Sequence, residues 1–304
     1  MDRLHWSESG AEGARRIARA QIARAWRALA RRPLSDDAVH SARKSLKKAR
    51  AMFRLLRPSI GSSAYHRENA ALRDAARALS GIRDARVLLE TLEGLPRRMP
   101  GQTPAVRELQ RLLRREQALS RTWLLQGSGR TPDPIKVLCT SQRRAGHWRL
   151  DHEGWSVLGA GLRRVYGQAR RAFVRARADP SAANLHEWRK QAKYLWHQLQ
   201  VLEPLGAAVA RRAATAHHLA DVLGEHHDLW MLRARVISKL QADPARRGLL
   251  DLIDRRSARL GAQAFALGHR LSADTDRAFE AHLHALWRAW RHTPRVRAAA
   301  SRPA

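Results

Sequence analysis

The residue types most able to do chemistry occur twice at one spacing. His40, Arg43, Lys44 and Lys47 stand in VHSARKSLKKAR (residues 39–50), and His186, Arg189, Lys190 and Lys193 in LHEWRKQAKYLW (residues 185–196). On a helix, positions i, i+3, i+4 and i+7 share one face, so each set is a stripe of three cations headed by an imidazole. Such a stripe recognises anions: Arg offers a planar fork to phosphate or carboxylate, and Lys a mobile point charge. A histidine joins in as a donor, more strongly when an anion field keeps it protonated.

Each stripe lies on a helix whose other face is apolar. Val39, Ala42, Leu46, Ala49, Phe53 and Leu56 form a 3-4-3-4-3 seam, repeated by Leu185, Trp188, Ala192, Leu195, Leu199 and Leu202. At about 100° per residue the basic stripe turns away from the helix's own core. Like charges four residues apart cost a few tenths of a kcal/mol each, roughly. A helix carrying Arg43, Lys44, Lys47, Lys48, Arg50, Arg54 and Arg57 therefore does not hold them for its own stability. A solvated face is the usual fate of a charge run. It does not require four residue types to recur in register.

The elements that position the stripes are helical. Ala, Leu and Arg dominate while Phe, Tyr, Ile and Thr are scarce, which predicts an all-α chain. Periodicity and Pro/Gly punctuation predict helices at about 12–33, 36–57, 62–79, 84–93 and 104–126, with Ser35, Asp36 and Asp37 starting the second. The pattern lapses over 127–154. It resumes at about 155–178, 181–203, 207–224, 228–241, 245–271 and 275–292. This gives an N-terminal helical half (1–127), a linker (128–154), a C-terminal half (155–292) and a basic tail (293–304). The halves read as an internal duplication. Residues 185–206 lie over 39–60 at an offset of 146, matching Pro204 to Pro58, and LGEHHDLWML (223–232) lies over LSGIRDARVL (79–88) at an offset of 144.

Whole-chain composition narrows the partner. Over 304 residues, 58 Lys and Arg face 27 Asp and Glu, a net charge of +31. Such an excess repels itself and favours nucleic acid, an anionic membrane or a phosphate polymer. Cys139 is alone, which excludes an intrachain disulfide and fits a reducing compartment. There is no signal-peptide pattern and no apolar run near 18 residues, so the reading is a soluble cytoplasmic protein without membrane insertion.

HxxRKxxK in both halves, with Arg83-Asp84 and His227-Asp228 about 40 residues later, resembles the CHAD domain, the conserved histidine α-helical domain. The resemblance spans about 12–292. It implies two pseudo-symmetric four-helix bundles whose basic faces meet around a central cavity or channel. It also implies binding of inorganic polyphosphate, often at polyphosphate granules, with no catalytic residue, metal or cofactor. Arg43, Lys44, Lys47, Arg189, Lys190 and Lys193 are then the direct phosphate contacts, assisted by His40 and His186. Lys48, Arg50 and Arg54 extend the first face, and Arg73, Arg77 and Arg83 follow on the next helix. The second half is electrostatically weaker: Tyr194, Trp196 and Gln200 replace Lys48, Arg50 and Arg54, while His217, Asp221 and His227 replace Arg73, Arg77 and Arg83. Asp84 and Asp228 read as helix caps or salt-bridge partners.

Two rivals come from the residues themselves. Any chain this basic binds nucleic acid weakly and non-specifically, and ten Trp residues offer stacking surfaces, although Trp26, Trp188, Trp230 and Trp287 fall on or near apolar seams. His227 and Asp228, with His186, His197 or His218 and Asp251 or Asp254, loosely mimic an HD-type metal phosphohydrolase. The first-half counterpart, Arg83 with Asp84, argues against that, because Arg does not ligate metal. A membrane-surface role ranks last, since the apolar seams are committed to bundle cores.

Overall fold

The computed structural model describes residues 2–31, 33–95, 104–126, 133–148, 150 and 154–293; the side chains at 80–85, 104–105 and 120–126 lie outside that description. The described residues form eleven α-helices and one 3-10 turn, with no strand. The helices are α1 (Gly10–Ala30), α2 (Asp36–Ile60), α3 (Ser62–Ala78), α4 (Ser80–Glu93), α5 (Pro104–Gln126), α6 (Pro134–Gly146), α7 (Ser156–Ala178), α8 (Ala182–Val201), α9 (Ala207–Lys239), α10 (Pro244–Leu271) and α11 (Asp276–His292). The all-α expectation is met.

Local chemistry explains most boundaries. Ser9 and Glu12 form a capping box at the start of α1, and the Ser35 hydroxyl accepts from the Ala38 amide at the start of α2. The stop expected at Pro58 falls instead at Gly61, whose φ of 79° breaks the helix. Proline forfeits only its own amide bond to Arg54, and one turn from the end α2 tolerates that.

Two expectations fail. The segments 207–224 and 228–241 are one helix, α9, because the only breaker between them is Gly224. A single glycine costs about 1 kcal/mol, and the buried side chains of Leu219, Leu223, Leu229, Leu232 and Val236 outweigh it. The stretch treated as a patternless linker contains α6, with Asp133 as N-cap and Pro134 in its first turn. Its buried face is short and partly polar: Leu138, Ser141 and Ala145.

That polar character has a partner. Glu68 of α3 is wholly buried and accepts bonds from Ser141 Oγ (2.6 Å), Arg144 Nε (2.6 Å) and Arg144 Nη2 (3.1 Å). Burial alone would push this carboxyl up, but bonds from Arg144 and Ser141 outweigh it and hold the pKa below the ordinary range. Glu68→Ala should cost about 2 kcal/mol in denaturant melts, because it strands Ser141 and part of Arg144. The wild-type contribution is present above the unfolded carboxylate pKa and is lost as pH falls through the lower folded value.

In contact terms, α1, α2, α3 and α6 close into one four-helix ring and α7, α8, α9 and α10 into another. The rings meet where α2 packs on α7 and α8, and α4 crosses to α9. One apolar core, from Leu4 to Trp290, runs through both. At the junction a Cβ on Gly161 of α7 would lie 1.8 Å from the Leu55 carbonyl oxygen of α2, so only glycine permits this approach.

Candidate polyanion-binding site

Because α2 and α8 pack side by side, their basic stripes reach one recess of about 550 Å³. Helix α2 contributes Arg43, Lys47 and Arg50; α3 contributes Arg73 and Arg77; α8 contributes His186, Arg189, Lys190, Lys193, Tyr194 and His197. Helix α4 adds Val87 and Leu88, and α9 adds His227, Asp228 and Met231. Eight permanent cations thus share a wall with one carboxylate. With low-dielectric protein behind them, they focus a positive field into the opening.

Several of the cations are splinted in place. Arg43 Nη1 donates to the Ala76 carbonyl at 3.0 Å, and Arg50 Nε to Asn69 Oδ1 at 3.0 Å, so α3 orients both. A Cβ on Gly224 would lie 3.4 Å from Arg189 Nε and Nη2, so the glycine makes room for that guanidinium against α9. Lys190 Nζ donates to Glu187 Oε2 at 2.5 Å. Fixed side chains lose less entropy when an anion binds.

Histidines stand among these cations. His197 is only 5% exposed and its Nδ1 has no hydrogen-bond partner. Burial pushes its pKa well below the ordinary value, and Lys48, Lys193 and Lys47 push the same way. The His186 ring centre is 4.6 Å from that of His227, and its Nδ1 is likewise buried and unpartnered. Burial, then Arg189 and Lys190, lower its pKa too. Both shifts favour the neutral ring.

Of the residues singled out from sequence, Arg43, Lys47, Arg50, Arg73, Arg77, His186, Arg189, Lys190 and Lys193 meet in the recess. His40 does not join its counterpart His186. It lines a neighbouring depression of about 300 Å³ with Asp36, Asp37, Arg86 and Glu90, and Val87 borders both hollows. Lys44 is exposed and outside the lining. Lys48 gives its ammonium to Asp2 at 2.7 Å, and the Arg54 guanidinium lies 4.1 Å over the Tyr194 ring. The Arg83 side chain falls outside the described residues.

Sequence reasoning missed Tyr194, His197, Met231, Val87 and Leu88 as lining residues. Tyr194 had registered only as a lost cation, whereas it fills the wall and carries Arg54 on its face. In the sequence His227 and Asp228 stand only as the counterparts of Arg83 and Asp84 and as members of the phosphohydrolase rival, whereas both line the recess. Among the described residues no group of three or more His, Cys, Asp or Glu is gathered as metal ligands would be, and no helix is long and apolar enough to cross a membrane.

The fold has known counterparts. A structure described as PptA from Streptomyces chartreusis superposes with a TM-score of 0.61 at 16% identity, covering 92% of this chain and all of the other. The CHAD domain from the plant Ricinus communis superposes with a TM-score of 0.57 at 17% identity, covering 93% of this chain and 94% of the other. No curated protein matches the sequence. The CHAD domain family model matches residues 14–237, a span holding both HxxRKxxK helices, all of α9 apart from its last two residues, and every residue that lines the recess. The chain belongs to the CHAD domain family.

Proposed function

We propose that this protein binds inorganic polyphosphate in the recess between α2, α3, α8 and α9, and that this binding carries it to polyphosphate granules. The observation behind the reading is the eight-to-one excess of cations over carboxylates on a single wall fed by both rings. Polyphosphate is a thin chain with about one negative charge per unit, so it needs repeated Lys and Arg donors and no base-reading groups. The family's link to polyphosphate supports the same ligand.

Titration with polyphosphates of defined length tests the proposal. Affinity should climb with length until the recess is filled. The log–log salt slope should approach about −6 if all eight cations engage a flexible single chain. DNA or RNA displacing polyphosphate at equal charge concentration would overturn the assignment.

Acid should strengthen binding. A bound polyanion raises the pKa of His186 and His197 from their depressed values, so the complex takes up protons and affinity rises as pH falls from about 7 to 5, by up to about tenfold per unit for each proton taken up. Without ligand the sign for stability is opposite. Unfolded histidines protonate near their ordinary pKa of about 6.5 while these two resist, so the free protein loses stability as pH drops below that value. Melting curves at pH 7.5 and 5.5, with and without long-chain polyphosphate, should show ligand stabilisation growing in acid.

A further inference from the structure

Most tryptophans with described side chains serve the core: Trp148, Trp155, Trp188, Trp287 and Trp290 are buried, and Trp26 and Trp196 pack against them. Trp230 is 44% exposed. It lies on α9 one turn from His227, which lines the recess, and is itself just outside that lining. Its plane is within 20° of the His227 ring, with centres 6.0 Å apart, and His227 in turn sits 4.6 Å from His186. A file of rings thus leads from the cationic interior to an exposed indole. A bare phosphate chain has no use for such a surface. A ligand with a base at one end and several phosphates at the other uses both.

We infer that Trp230 is a stacking platform for the base of a nucleoside 5′-polyphosphate, a triphosphate or longer, whose phosphates enter the recess. The inference rests on the recess being a phosphate site. The platform is one-sided, because the aligned residue in the first half, Arg86, is held by Glu90 at 2.7 Å. Purines, with the larger π-surface, should be preferred over pyrimidines.

Calorimetric titration of ATP, tripolyphosphate and adenosine, without divalent metal and at fixed ionic strength, tests it on wild type, Trp230→Ala and Trp230→Phe. ATP should bind about tenfold more tightly than tripolyphosphate to wild type. Trp230→Ala should abolish that advantage and leave tripolyphosphate affinity unchanged, which also reports an intact fold. Trp230→Phe should keep part of it, and adenosine alone should bind far more weakly than ATP. Equal affinities for ATP and tripolyphosphate in wild type, or an ATP advantage that survives Trp230→Ala, would overturn the platform while leaving polyphosphate binding in place. Failure of tripolyphosphate and long-chain polyphosphate to bind wild type at all would instead remove the phosphate site beneath it. Single-stranded RNA binding more tightly per charge than ATP, in a Trp230-dependent way, would give the platform to nucleic acid and refute the nucleotide assignment.

Discussion

Replacing Lys47, Arg189 and Lys193 together by glutamate should lower affinity for long-chain polyphosphate by about 1,000-fold or more at physiological salt. Charge-assisted contacts contribute about 1.5–3 kcal/mol each, and three reversals add repulsion to three losses. The three residues come from both basic helices and face the same opening. Lys44→Gln is the contrast. Lys44 shares their stripe in sequence but is exposed and outside the lining, so its loss should change affinity by no more than about threefold. Filter binding or calorimetry measures both, with helical circular dichroism as the control for folding. Equal losses from Lys44→Gln and Lys47→Gln would mean that polyphosphate reads a diffuse basic surface and not the recess.

Gly161→Ala should destabilise the protein by about 4 kcal/mol, near the upper end for a single substitution. The added methyl would meet the Leu55 backbone, with the carbonyl oxygen, carbonyl carbon and Cα at 1.8, 2.6 and 2.9 Å. No side chain can turn aside to admit it, so α2 and α7 must separate and loosen the core on both sides. Gly248→Ala in α10 is the internal control. Nothing lies within 4 Å of a Cβ there, and the exposed helical position should gain up to about 1 kcal/mol. Urea unfolding measures both shifts. A Gly161→Ala variant as stable as wild type would show that the helices do not touch at this point.

Much of this architecture was legible because its signals are local. Caps such as Ser35, breaks such as Gly61, and 3.6-residue periodicity mark α1 to α3, α5, α7, α8, α10 and α11 to within a few residues. The repeated stripe also announced itself, and most of its members meet in space. The failures came from contacts between residues distant in sequence. Helix α6 buries Ser141 and turns Arg144 toward Glu68, some 75 positions earlier, so its apolar period is too short to see. Lys48 looks like a ligand cation until Asp2, 46 positions earlier, is found on its ammonium. His40 and His186 match in sequence yet part company, because α4 runs beside one and α9 beside the other.

The seam where Gly161 rests on Leu55 bears on what the recess admits. Helix α2, which brings Arg43, Lys47 and Arg50 to the recess, meets α7 backbone to backbone at Gly161 and packs along α8, so close packing sets its place against the second ring. A recess whose walls are set by such packing should sort polyanions by girth. Slender unbranched chains should then enter it more readily than a double helix.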